Sequence, residues 1–175
     1  MKFLETEVRG AYIVELDVKE DERGFFARVW DEEEFKKHGL FDHIVHANIS
    51  GNPKKGTLRG LHFQIAPHEE AKIVRCSRGA IFDVAVDIRP DSPSFKKWIS
   101  VELSEQNRRM SYIPEGCAHG FQTLEDNSEV SYFMSAAYHP LCARGVRFDD
   151  PVFGISWPLP ISVISEKDKT YPDFS

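Results

Sequence analysis

At 175 residues, 41% hydrophobic and 29% charged, the chain has the make-up of an ordinary soluble globular protein with one sizeable core, and a single domain over residues 1–175 is expected. A formal net charge of -6, a pI near 5.6 and the absence of any Lys/Arg block exclude a nucleic-acid binder working through bulk electrostatics. Any anionic ligand must then be held by a few placed cations.

The N-terminus reaches Glu5 before an apolar run develops, and nowhere do 18 apolar residues occur together, so neither an export signal nor a membrane span is expected. Short β-branched and aromatic runs follow at 11–17, 43–49, 58–64, 72–77, 80–88, 98–103, 110–113, 119–124 and 129–138, separated by Gly, Pro, Asn and Asp. This is an all-β pattern, and many short strands predict a sandwich or barrel. One short peripheral helix is predicted from Asp31 to His38, with Asp31 as cap, glutamates at its positive end and Lys36, Lys37 and His38 at its negative end. In the strand 58–64, Leu61 and Phe63 should face one way and His62 and Gln64 the other, which places an imidazole and an amide together. In the strand 81–88, Phe82, Val84, Val86 and Ile88 alternate with Asp83, Ala85 and Asp87, whose face is either solvent or a polar interior needing partners. The tail from Pro151, rich in turn residues, is expected to wrap the domain. Cys76, Cys117 and Cys142 are odd in number and widely spaced, which predicts free thiols in a reducing cytoplasm.

Candidates for chemistry are His62, Lys72, His119, Tyr132 and Asp168. Each has a structural alternative: Lys72 a solvated strand end, Tyr132 a core aromatic, His119 a turn residue, and Asp168 the acidic partner of a Ser165 N-cap. Pro114-x-Gly116-x-x-His119 resembles the second motif of cupins, small β-barrels that often hold a metal. A metal cupin also needs an H-x-H pair on an earlier strand, and the corresponding region here carries only His62, so no metal site is predicted.

Seven blocks in one order are more specific than any residue alone. They are Asp21 to Phe26, Leu58 to Gln64, Lys72 to Arg75, Arg78 to Asp87, Ile113 to Phe121, Arg144 to Pro151, and Ser165 to Asp168. Together they strongly resemble the dTDP-4-dehydrorhamnose 3,5-epimerase family over roughly residues 10 to 170. The resemblance implies a homodimeric, cofactor-independent, cupin-like jelly-roll barrel that inverts carbons beside the 4-keto group of a nucleotide-diphosphate sugar. It implies His62 as base paired with Asp168, Lys72 as the cation facing the enolate oxygen, and Tyr132 as acid on the opposite face. It further implies substrate binding by Arg23 and Arg59 at the diphosphate, by His119, Asp83 and Tyr138 in the pocket, and by Gln64 beside His62.

Departures concern the nucleotide side. Many family members carry Glu where Arg28 stands, and Gln-Asp-Asn where this chain has His46-Ala47-Asn48. Exchanging an acceptor for donors leaves the base open among thymine, guanine and cytosine, and inversion at C3, C5 or both is equally open. A non-catalytic sugar-nucleotide binding module and a metal-dependent cupin are the alternatives from other classes.

Overall fold

Alternation along the short apolar runs builds antiparallel sheets throughout. The computed structural model describes residues 1–174. In chain order the strands are β1 (Lys2–Glu5), β2 (Tyr12–Glu15), β3 (Val18–Asp21), β4 (Gly24–Ala27), β5 (His46–Asn52), β6 (Leu58–Gln64) and β7 (Lys72–Arg78). They continue with β8 (Ala80–Asp87), β9 (Trp98–Ser104), β10 (Met110–Ile113), β11 (Cys117–Thr123), β12 (Ser128–Met134) and β13 (Ala143–Gly145). Helix α1 (Glu32–Lys37) lies between β4 and β5, and α2 (Glu166–Lys169) follows β13.

One sheet runs β1-β2-β10-β7-β12-β5 and the other β13-β6-β11-β8-β9, while β3 and β4 form a separate hairpin. Residues of both large sheets share one core, with Val74, Cys76, Ile113 and Val130 from the first meeting Ala85, Val101, Leu103 and Phe121 from the second. This face-to-face packing of antiparallel sheets is the cupin-like jelly roll.

Both outer faces are also covered. Phe35 of α1 packs with Val14, Ile73, Met110 and Tyr112 on the six-stranded sheet. Phe153, with Trp157 and Phe174 beside it, closes over Leu61, Val84, Val86 and Ala118 on the five-stranded sheet. The strand 81–88 is therefore buried on both sides, which removes the solvent reading of its acidic face. Of its two acids, Asp87 serves the fold: it accepts from Arg89, Ser92 and Ser94. Burial alone would raise the Asp87 carboxyl, but these bonds hold it down at about 2.

The tail is fastened to β6 by Leu58 N–H donating to Val163 O at 2.8 Å, and to β11 by paired bonds between Gln122 and Leu159. That fastening fixes where α2 arrives. The helix forms where capping predicts, with Asp31 accepting from Glu34 N–H. Strands β1, β3, β4 and β13 were not predicted, because short runs such as Val-Lys-Glu-Asp and Gly-Phe-Phe-Ala are mostly exposed and carry no period-two burial. The segment 129–138 stops being strand at Met134, beyond which Ser135 N–H donates to Ala71 O.

Candidate active site

The site begins with an irregularity in β6. Opposite it, β11 pairs His119 with His62 and Phe121 with Arg59, so three residues of β6 span what two span on β11. This bulge brings Arg59 and His62 onto one face, where simple alternation would have separated them. Gly60 allows it. A Cβ there would lie 2.6 Å from both Gly120 Cα and His119 O, and the backbone is left-handed with φ +113.

His62 and Arg59 thus face a space of about 200 Å³ between the sheets, lined also by Lys72, His119, Phe121, Tyr132 and Met134. It adjoins an outer cavity of about 430 Å³ that shares His62, Lys72 and Met134 and adds His46, Asn48, Gln64, Tyr138, Arg144, Lys167 and Tyr171. A cavity of about 560 Å³ lies apart, around Glu5, Arg9 and Pro93, and carries no imidazole.

His62 Nε2 lies 2.7 Å from Asp168 Oδ1, and the second carboxylate oxygen accepts from Gly60 N–H at 3.2 Å. Asp168 also heads α2 as expected of a capped turn, since its N–H donates to Ser165 Oγ. The two readings of Asp168 coexist: its backbone completes the cap while its carboxylate turns inward. Burial pushes this carboxyl up, but the bonds from His62, Gly60 and Ser165 outweigh burial and hold it below the usual range. With Nε2–H donating to a carboxylate, Nδ1 is the basic nitrogen of His62.

Lys72 is buried, not a solvated strand end. Its Nζ pairs with Glu70 at 2.9 Å and donates to His62 O at 3.3 Å. Tyr132 is partly buried on β12 and faces the space from the six-stranded sheet, whereas His62 comes from the five-stranded one. His119 Nε2 lies 2.7 Å from Asp83 Oδ1, so the acidic face of β8 is partnered from within the barrel. Arg59 Nε donates to Asn52 Oδ1 at 2.7 Å, which anchors the near side of its guanidinium.

Other predicted residues divide into those the fold gathers and those it does not. His46, Asn48 and Tyr138 line the outer cavity. Gln64 lines it too, but its amide is committed to His68 O, Glu70, Ala137 O and His139 N–H, so it braces the wall. Arg23 and Arg28 line neither cavity. Arg23 sits at the β3–β4 turn paired with Asp21, and Arg28 pairs with Asp31 at 2.6 Å.

Sequence reading missed Glu70, Arg144, Lys167 and Tyr171. Tyr171 stands edge-on to His62 with ring centroids 6.0 Å apart, and its hydrogen bond to Lys167 raises that ammonium's pKa. Glu70, two residues before Lys72, offered a charge-pair signal. The other three lie on β13 and the tail, which only the fold brings back to β6.

The family model described as dTDP-4-dehydrorhamnose 3,5-epimerase matches residues 5–175. The dTDP-4-dehydrorhamnose 3,5-epimerase of Sinorhizobium fredii is 46% identical over 153 residues, covering 87% of this chain and 78% of that protein. The crystal structure of the enzyme of that name from Elizabethkingia anophelis superposes with a TM-score of 0.96 at 40% identity, covering 99% of this chain and 96% of that one. The Bacillus anthracis counterpart, solved with TDP and PPi bound, gives 0.95 at 36% identity and covers 99% of both chains. A chain that matches the family model over residues 5–175, and whose jelly roll and sequence agree with these proteins, belongs to the dTDP-4-dehydrorhamnose 3,5-epimerase family of isomerases.

Proposed function

We propose that this isomerase inverts C3 and C5 of a dTDP-linked 4-keto-6-deoxy sugar, with His62 as base and Tyr132 as acid. The observation that carries this reading is that His62 and Tyr132 come from facing sheets and line one space, with Lys72 on its wall. Inversion needs a proton taken from one face of a carbon and returned to the other, and two facing walls supply both.

His62 Nδ1 takes the proton from the carbon beside the ketone. Asp168 stabilises the imidazolium that results. The electron pair of the broken C–H bond moves onto the ketone oxygen, where the Lys72 ammonium meets the developing enolate; one such donor is worth roughly 3–4 kcal/mol. The Tyr132 phenol then protonates the carbon from the other side and is restored by solvent exchange. His119 with Asp83, and Tyr138, hold the sugar, and Arg59 holds the diphosphate.

The nucleotide bound in the Bacillus anthracis relative supports thymidine, with His46 and Asn48 on the nucleotide side of the outer cavity. A homodimer gives Arg23 its role. In one chain it stands away from both cavities on a hairpin whose Phe25 and Phe26 are exposed, and β5 is a sheet edge with Ile49 exposed beside the outer cavity's residues. A second copy covers these surfaces and receives Arg23 at its diphosphate.

The test is incubation with 4-keto-6-deoxy sugars on dTDP, GDP and CDP in deuterated water, with NMR at C3 and C5. Deuterium at both carbons of the dTDP sugar is the expected result. Deuterium at one carbon, or only with another nucleotide, corrects the substrate assignment, and none at either carbon overturns the reading.

A further inference from the structure

The loops beside the outer cavity carry a group of donors that the reaction does not use. One ring nitrogen each of His68 and His139 and the thiol of Cys142 lie within 4.8 Å of one another, with Cys142 buried and both imidazoles half-buried. The two rings stack with centroids 4.1 Å apart and 10° between planes. His139 Nδ1 is buried with no hydrogen-bond partner among the described residues, which costs free energy wherever a ring nitrogen has no use.

The backbones of all three residues are held by the end of β6. The Gln64 amide donates to His68 O at 2.9 Å and accepts from His139 N–H at 2.6 Å. Ile65 N–H donates to Cys142 O at 3.0 Å, and Cys142 N–H closes a turn onto His139 O at 2.9 Å. Two separate loops are thus pinned so that two imidazoles and one thiol converge. We infer that His68, His139 and Cys142 form a zinc(II) site, distinct from the His62 centre, that clamps the 65–70 loop to the 138–142 turn.

Two imidazoles and a thiolate suit a borderline-soft divalent ion, with bonds of about 2.1 Å to nitrogen and 2.3 Å to sulfur. Tetrahedral geometry at those lengths requires donors about 3.5 Å apart, so the group closes slightly as the rings fan out of their stack. The thiol proton leaves to solvent as the Zn–S bond forms, and a water completes the fourth position. The half-exposed histidines give the ion a way in. Cys76 and Cys117 do not compete: both lie buried in the core between the sheets, and burial pushes their thiols up to about 11 and about 12. The clamp adjoins Gln64, Glu70 and Tyr138 in the cavity wall, so its effect is on loop order and not on bond making.

The metal-stripped full-length protein is titrated with zinc(II) against a chromophoric chelator of micromolar affinity, and with cobalt(II), whose thiolate charge-transfer band reports sulfur ligation. One equivalent binds in competition with the dye, the cobalt band appears, and the melting temperature rises with zinc. Cys142→Ser abolishes the band and weakens zinc at least about 10-fold; His68→Gln, which changes a half-exposed loop position and keeps the fold if the serine variant does not, weakens zinc by a similar factor. His62→Ala leaves band and affinity intact. No competition with the dye, zinc affinity unchanged in both Cys142→Ser and His68→Gln, or a site that disappears in His62→Ala, overturns the inference.

Discussion

Asp168→Asn isolates what the carboxylate does for His62, because the asparagine keeps the shape of the side chain and the N-terminal turn of α2 while removing the charge. Hydrogen bonds to charged groups contribute about 1.5–3 kcal/mol. The Asp168 side chain is only 6% exposed, but that of His62 is 43% exposed, so solvent screens the imidazolium and places the loss near the lower half of that range. A loss of about 2 kcal/mol in the proton-abstraction step corresponds to about a 30-fold fall in kcat. The asparagine can also donate its N–H to Nε2, which puts the proton on Nδ1, so about 30-fold is the least fall expected. The assay is the initial rate of deuterium entry at C3 and C5 in buffered deuterated water, followed by NMR at saturating substrate. KM should move little, since Asp168 lies behind the imidazole. Activity within twofold of the parent would falsify the role given to this pair.

Two further outcomes concern stability. Glu70→Gln leaves the buried Lys72 ammonium without its 2.9 Å partner, a loss of about 3 kcal/mol that lowers the melting temperature by roughly 6–12 °C; calorimetry showing no shift would contradict the importance of the pair. Asp87→Asn removes the carboxylate bound by Arg89, Ser92 and Ser94. Its folded pKa of about 2 lies below the unfolded value near 3.8, so its contribution of about 2 kcal/mol is present above about pH 4 and is lost as pH falls toward about 2. Denaturant melts should therefore separate parent and variant at pH 7, and the gap should narrow on acidification; a gap that widens refutes the assignment.

The fold class was legible because β6 to β12 carry alternating apolar residues between turn signals, and the helix because Asp31 and the charges behind it are local devices. His62 and Lys72 were legible by type and spacing, and their roles by the order of the surrounding blocks. The bulge that puts Arg59 beside His62 was not, since it arises from Gly60 meeting Gly120 across two strands distant in sequence. Lys167 and Tyr171 were hidden for a similar reason: the tail returns to β6 through Val163 and to β11 through Leu159, contacts that no local pattern announces. Gln64 illustrates the opposite limit. Alternation put it on the correct face, yet its four bonds make it a brace, a fact set by loops on both sides.

The two-wall account rests most directly on comparing His62→Ala with Tyr132→Phe in deuterated water. The account predicts that His62→Ala abolishes deuterium entry, because no base remains on the five-stranded wall. Tyr132→Phe keeps exchange with retention, through His62, while inversion is suppressed by about 10²-fold or more. Equal loss of exchange in both variants, or inversion that persists in Tyr132→Phe, would contradict it.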